Sequence, residues 1–210
     1  TPVSVTVSQT AMPTVLRVSW ETEAETEGYV LFAGEGQVRR RSRSTSGKEH
    51  ELLLVGLRPS SAVAYTVMVD DVPACDDGAT ASTGPLDVRF TTATAAVSTP
   101  DSPDAGLTVV PMMGNNASGA AILDESGVLV WASEIDGSQR SVFRASPSLD
   151  GEAVLYNESA SGFLRPAVLY RVSLDGEKRE SFEVEGGHTD FVERAPHEYT
   201  MIGWEIREIE

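Results

Sequence analysis

The sequence predicts an all-β protein in two units, a β-sandwich over residues 1–93 and a series of antiparallel hairpins over residues 106–210. Three observations indicate this fold class. Apolar and polar residues alternate in short runs, turn-forming residues separate the runs at intervals of about ten residues, and no helical periodicity is sustained. Residues 94–105 are rich in Thr, Ala, Ser, Pro and Asp without a periodic apolar face, which is typical of a linker.

Short, half-buried strands are expected in the first unit. In the second of them, Leu16, Val18 and Trp20 share one face, because alternate side chains of a strand point the same way. His50 falls in this unit, and we expect it on the surface of a strand. The predicted strands are residues 3–7, 15–20, 28–32, 52–55, 65–69 and 86–90.

Four short motifs of this unit resemble a fibronectin type III domain. They are Leu16-x-Val18-x-Trp20, Gly28-Tyr29-x-Leu31, the corner Gly56-Leu57-Arg58-Pro59, and Val88-x-Phe90-Thr91-Thr92. The buried Trp and the Leu-x-Pro corner contribute most to the match. The chain has Val63 where the family has a tyrosine, and Tyr65 follows two residues later. The resemblance implies a spacer or adhesive module, and a fold by itself names no ligand.

Turns containing glycine organise the second unit. The run Ser-Leu-Asp-Gly-Glu occurs at residues 148–152 and again at 173–177, and a related run at 123–127 precedes the first copy by a similar interval. Asp-Gly between alternating apolar residues is a strong hairpin signal, because glycine accepts the positive φ that twisted hairpins need. The predicted hairpins pair residues 120–123 with 128–131, 141–146 with 153–156, and 167–172 with 179–184.

Consecutive hairpins of this kind are typical of β-propeller blades. About 105 residues suffice for two or three blades, whereas a closed propeller has at least four. We therefore expect an incomplete propeller, either the first part of a longer protein or a sheet that another copy or a partner completes.

The second unit resembles the start of the bacterial arylsulfotransferases, in which a small β-sandwich precedes a propeller. The residues behind this resemblance are Leu129-Val130-Trp131, the strand at 168–172 leading into Leu174-Asp175-Gly176, and Gly186-Gly187-His188-Thr189-Asp190-Phe191. The last run is similar to the family's His-His-Asp-aromatic signature. His188 matches its first histidine, Asp190 its acid and Phe191 its aromatic residue, while Thr189 stands in place of the second histidine.

The resemblance implies that His188 and Asp190 are catalytic. In the family, a histidine takes a sulfuryl group from a phenolic sulfate ester and passes it to a phenol, and neutral imidazole is a suitable nucleophile near pH 7. Asp190 lies two residues along a predicted strand, where its carboxylate would fix the imidazole tautomer. The alternatives are that His188 only bonds a turn carbonyl at the start of a strand, and that the chain is a non-catalytic extracellular adhesion or scaffold protein.

Charge and motif content exclude several functions. With 16 Lys+Arg against 32 Asp+Glu, the net charge of -16 disfavours nucleic acid, and we expect the arginine-rich run 39–43 to be a solvated strand edge. No metal, nucleotide or other cofactor motif is present, and no apolar run is long enough to span a bilayer. The domain types predict a secreted, periplasmic or cell-surface location. Self-association through open sheet edges is a further expectation.

The remaining candidates are a cysteine and a histidine in predicted turns. Cys75 has no partner cysteine and lies in the acidic loop 70–78, which we interpret as a polar turn with calcium binding as the alternative. His197 follows Ala195-Pro196 in the turn of a predicted hairpin, where we expect it to be exposed.

Overall fold

The computed structural model describes residues 2–74, 79–87, 89, 106–113, 117–135, 140–160 and 166–203. Within these residues the protein is all-β, with sixteen strands in four sheets and no helix, so the predicted fold class is confirmed. The chain divides into two compact units, Thr1–Leu86 and Asp87–Glu210. The predicted linker at 94–105 lies outside the described residues.

The first unit is a seven-stranded antiparallel system built on one long strand. Strand β2 pairs with β1, β3, β4 and β5, while β6 and β7 pair with β5. The strands are β1 (Pro2–Gln9), β2 (Leu16–Gly34), β3 (Arg40–Arg41), β4 (Thr45–Leu54), β5 (Ala62–Val69), β6 (Val72–Pro73) and β7 (Ala79–Ser82).

Strand β2 is continuous over 19 residues, so the prediction of separate strands at 15–20 and 28–32 is wrong. Its first half pairs with β1 and with most of β4, and its second half pairs with β3 and β5. The register with β4 shifts between Glu21 and Thr26, which marks a bulge. Apolar side chains from both halves of β2, such as Trp20 and Phe32, join one core with side chains of β4 and β5, which closes the sandwich.

The predicted strand at 86–90 is not observed in its described part, because Leu86, Asp87 and Arg89 are outside any strand. Val88 and Phe90 lie outside the described residues. The arginine-rich run contains β3, where Arg41 stacks 3.7 Å from the centre of the Tyr29 ring.

His50 is buried, with 3% of its surface exposed, so the predicted surface position is wrong. Strand β4 begins at Thr45, and alternation places His50 on the same inward face as Leu52 and Leu54. In the β2–β4 register His50 lies opposite Trp20, and the two rings stack with centroids 4.7 Å apart. Burial lowers the pKa of His50, because it disfavours the charged imidazolium.

The described residues of the second unit form three antiparallel sheets. Strand order is β10-β9-β8 in the first, β11-β12-β13-β14 in the second and β15-β16 in the third. The strands are β8 (Thr108–Met113), β9 (Ser118–Leu123), β10 (Leu129–Ile135), β11 (Arg140–Pro147), β12 (Ala153–Ala160), β13 (Ala167–Ser173), β14 (Arg179–Val184), β15 (Gly187–Ala195) and β16 (Glu198–Gly203).

The three predicted hairpins are confirmed as β9–β10, β11–β12 and β13–β14. Their turn glycines Gly127, Gly151 and Gly176 have φ values of 78°, 71° and 75°, as the turn chemistry requires. In the repeated runs at 148–152 and 173–177, the serine hydroxyl donates to the aspartate, and the aspartate accepts the N–H two residues on. The two copies therefore have the same local structure.

The sheets are arranged as in a partial propeller. Strands β8, β11 and β15 are the first strands of their sheets, and β11 contacts both of the others. The first strands of successive blades lie side by side around a propeller axis, so residues on β11 and β15 are brought together. This neighbourhood contains His188 and Asp190.

Candidate functional site

The Gly186-Gly187 pair fixes where β15 begins. Gly186 has a φ of 66°, a conformation that favours glycine. A Cβ on Gly187 would lie 2.7 Å from the sulfur of Met201 and 2.9 Å from the carbonyl oxygen of Val184, so a side chain cannot be accommodated without displacing its neighbours. The two glycines therefore allow His188 to start a closely packed strand.

His188, Thr189 and Asp190 occupy an irregular part of β15. In the β15–β16 register, Gly187 pairs with Gly203 and Phe191 pairs with Met201, so four steps along β15 correspond to two along β16. The additional residues lie between Gly187 and Phe191 and form a bulge, which re-aims side chains and is common near active sites. The alternation from which we predicted that His188 and Asp190 share a face does not apply in this segment.

The side chains of the two predicted catalytic residues, His188 and Asp190, form hydrogen bonds with different partners. Nδ1 of the half-buried His188 lies 3.0 Å from Oγ1 of Thr189. Oδ1 of Asp190 accepts a hydrogen bond from Nη1 of Arg144 at 2.7 Å and another from the backbone N–H of Phe191 at 2.9 Å. The Nδ1 partner is thus Thr189, rather than the expected Asp190, and Asp190 forms an ion pair with an arginine of the neighbouring sheet.

Asn157 on β12 holds the two neighbouring inner strands together. Its Nδ2 donates to the carbonyl oxygen of His188 at 2.8 Å, and its Oδ1 accepts from the backbone N–H of Arg144 at 3.0 Å. The side chain is fully buried, and both ends of the amide are used. The register of β11 with β12 also shifts between Val142 and Arg144, so Asn157 joins a second bulge to the first.

Arg144 is the cation of this site. Its side chain is 45% exposed and that of Asp190 is 47% exposed. Its guanidinium carbon lies 5.6 Å from the centre of the Phe191 ring, and Phe191 is buried against Leu155 and Leu169. Phe143, the preceding residue, is 46% exposed. The site therefore presents an imidazole, a guanidinium and an aromatic ring on neighbouring backbone segments.

A second polar network in this unit is structural. The hydroxyl of Tyr170 donates to the buried carboxylate of Glu158 at 2.7 Å, and the hydroxyls of Tyr156 and Ser133 are 2.9 Å apart. Burial, followed by the hydrogen bond to Glu158, raises the pKa of Tyr170 well above its usual range. The raised pKa keeps the phenol protonated near neutral pH, where it donates to Glu158.

A cleft of about 400 Å³ lies on the first unit, lined by residues of β1, β2 and β4. Three of its lining residues are the acidic side chains Glu21, Glu49 and Glu51. An acidic lining repels an anionic sulfate ester, so this cleft does not suit the substrate class that the resemblance implies.

In the described part of the chain, no group of three or more His, Cys, Asp or Glu residues could hold a metal ion. Cys75 and residues 76–78 lie outside the described residues. Asp70 and Asp71 have φ values of 48° and 62°, and their Oδ1 atoms accept hydrogen bonds from Glu27 N–H and the Tyr29 hydroxyl. This part of the acidic loop is a turn whose carboxylates are already engaged.

Among the described residues there is also no helix with the length and apolar character needed to cross a membrane. His197 has a φ of 65° and is exposed in the β15–β16 turn, as predicted.

Sequence reasoning did not identify Arg144 or Asn157 as residues of the site. One local signal was present, because asparagine is disfavoured within strands and Asn157 interrupts the apolar run Val154-Leu155-Tyr156. Arg144 carried no local signal, since its role depends on pairing between sheets. No protein-family model matches the sequence, and no curated protein matches it.

Proposed function

We propose that the chain is part of an arylsulfotransferase-like protein that acts outside the cytoplasm and transfers sulfuryl groups between phenolic compounds through His188. The single observation that carries this proposal is the double bulge, in which Asn157 binds both the His188 carbonyl and the Arg144 amide. It supports the proposal because sulfuryl transfer needs a nucleophile and a cation at fixed relative positions.

The reaction would proceed in two displacements. Nε2 of His188 would be the nucleophile, with Nδ1 lying 3.0 Å from the hydroxyl oxygen of Thr189. It attacks sulfur, the N–S bond forms, and the phenolate leaves with the electrons of the S–O bond. An acceptor phenol then loses its proton to solvent and attacks sulfur, which releases neutral imidazole. Arg144 would balance the charge of the sulfuryl oxygens in both steps.

The test compares two histidine variants. Purified protein is incubated with p-nitrophenyl sulfate and a phenol acceptor, and p-nitrophenolate release is followed by absorbance. We expect His188→Ala to abolish release, and His197→Ala, which alters an exposed turn histidine on the same hairpin, to leave it unchanged. Equal rates in the two variants would contradict the proposal.

A non-catalytic adhesion or scaffold function is the second candidate. The observation that favours it is that Phe182 on β14 and Ile202 on β16 are exposed apolar residues on outer strands of their sheets. Exposed apolar groups on sheet edges promote strand association. This candidate predicts concentration-dependent self-association that Phe182→Lys and Ile202→Lys abolish, measured by sedimentation velocity, without any sulfuryl transfer.

A further inference from the structure

We infer that Arg144 is a binding residue for aryl oxyanions and that the carboxylate of Asp190 occupies it in the resting protein. Asp190 would then be an internal competitor of the ligand rather than a partner of the imidazole. The inference rests on the proposed function for the aryl character of the ligand, while the anion site itself follows from the ion pair.

The first step is that Arg144 has contacts that do not depend on Asp190. Arg144 is fixed by its backbone N–H on Asn157 and by its guanidinium near the Phe191 ring. Oδ1 of Asp190 accepts the N–H of Phe191 as well as Nη1 of Arg144. When the carboxylate turns away, the guanidinium therefore stays at the surface of the site.

The second step is that the pair can be exchanged. Both side chains are nearly half exposed, and ion pairs at this exposure are weak because water solvates the separated charges well. A sulfonate or sulfate presents three oxygens to the planar guanidinium and can bind it through two parallel hydrogen bonds. Such a ligand can therefore take the place of the carboxylate on the guanidinium once its concentration is high enough.

The third step concerns the class of anion. Phe143 and Arg144 are consecutive and both exposed, which regular alternation in a half-buried strand would not give. The bulge in β11 explains this departure, since the register shifts at this position. An exposed ring next to the cation favours an anion that carries its own aromatic ring over inorganic sulfate.

The experiment measures binding without turnover. The probe is benzylsulfonate, in which carbon replaces the bridging oxygen so that no sulfuryl group can be transferred, with inorganic sulfate for comparison. Affinity is determined by NMR titration at low ionic strength. We expect Asp190→Asn to bind benzylsulfonate about tenfold more tightly than the unaltered protein, and Asp190→Asn with Arg144→Gln to lose this gain.

The matched control is Glu134→Gln. Glu134 forms an ion pair with Arg89 in the same unit, at 2.8 Å, so its neutralisation changes net charge by the same amount. An equal gain in this control would overturn the inference, as would unchanged affinity in Asp190→Asn or full binding after Arg144→Gln. If Asp190→Asn unfolds, which the amide spectrum reveals, Asp190→Ser serves the same comparison.

The binding experiment and the activity assay test the two proposals separately. Tighter binding in Asp190→Asn together with full activity of His188→Ala would support the anion site and contradict the catalytic proposal. Unchanged affinity in Asp190→Asn together with inactive His188→Ala would do the reverse.

Discussion

His50 and His188 are both strand residues of antiparallel sheets, but the pairing around them differs. His50 lies in a regular part of the β2–β4 ladder, directly opposite Trp20, and it is buried by stacking on that ring. His188 lies in a bulge of β15 and stays half-buried, with its carbonyl held by Asn157. Regular pairing places the His50 side chain in the core. In the second unit, a bulge together with Asn157, whose amide we call the clasp because it binds both strands, leaves the His188 side chain partly exposed.

The largest effect is expected when the stacking partner of His50 is removed. Trp20 is 2% exposed, and deletion of a buried tryptophan ring costs about 3–5 kcal/mol. We expect Trp20→Ala to lower the free energy of unfolding of the first unit by this amount, measured by urea denaturation. Val38→Ala, at an exposed position, is the control and should change little.

The corresponding change in the second unit removes the clasp. Asn157→Leu leaves the N–H of Arg144 and the carbonyl of His188 without their amide partner, and a buried unsatisfied group costs about 1–3 kcal/mol. We expect the free energy of unfolding to fall by at least about 2 kcal/mol. Amide exchange should become faster at Arg144, whose N–H loses its acceptor, and this is measured by NMR. Protection factors equal to those of the unaltered protein would show that the two bulges keep their structure without the Asn157 amide.

Asp150, like Asp190, forms an ion pair with an arginine, but its pair with Arg171 is much less exposed than the pair of Asp190 with Arg144. Burial alone would raise the pKa of Asp150, but hydrogen bonds from Ser148 and Glu152 and the ion pair with Arg171 outweigh it and lower the pKa from 3.8 to about 2. A carboxyl group with a depressed pKa stabilises the folded state above about pH 4, and this stabilisation is lost as pH falls through about 2. The contribution is on the order of 2 kcal/mol.

We therefore expect unfolding free energy to decline over that acid range in the unaltered protein, measured by urea denaturation. The decline should be smaller in Asp150→Asn than in the unaltered protein. A decline of equal size in Asp150→Asn would contradict the assignment.

The smallest expected effect is the pH dependence caused by His50. Because burial lowers its pKa, the unfolded chain binds a proton more readily than the folded one. The contribution of neutral His50 to the free energy of unfolding should be complete above about pH 6.5 and should fall as pH drops below that value. His50→Phe keeps a ring on Trp20 and should remove this slope between about pH 7 and pH 5. An unchanged slope would mean that another group titrates.

The sequence predicts the parts of the fold that depend on local chemistry. The turns at Gly127, Gly151 and Gly176 are encoded by neighbouring residues, so their hairpins could be predicted. The continuity of β2 could not, because residues 21–27 alternate only among glutamate and small residues and no apolar face marks them as strand. The burial of His50 was missed because the polar start of β4 hides its length.

The site was predictable only in part. His188 was selected by the resemblance of residues 186–191 to a family signature, and the start of its strand could be predicted from Gly186-Gly187. Its surroundings depend on register shifts in β11 and β15, and register is a property of strand pairing that a single strand's residues do not reveal. For this reason the ion pair between Arg144 and Asp190 could not be predicted from either strand alone.

The clasp at Asn157 has a consequence for producing the protein. Asn157-Glu158-Ser159 is formally an acceptor for N-linked glycans, which attach to the amide nitrogen. That nitrogen is buried and donates to the His188 carbonyl, so a chain that received an oligosaccharide there before folding could not assemble the second unit. Expression in a host that lacks this modification avoids the conflict.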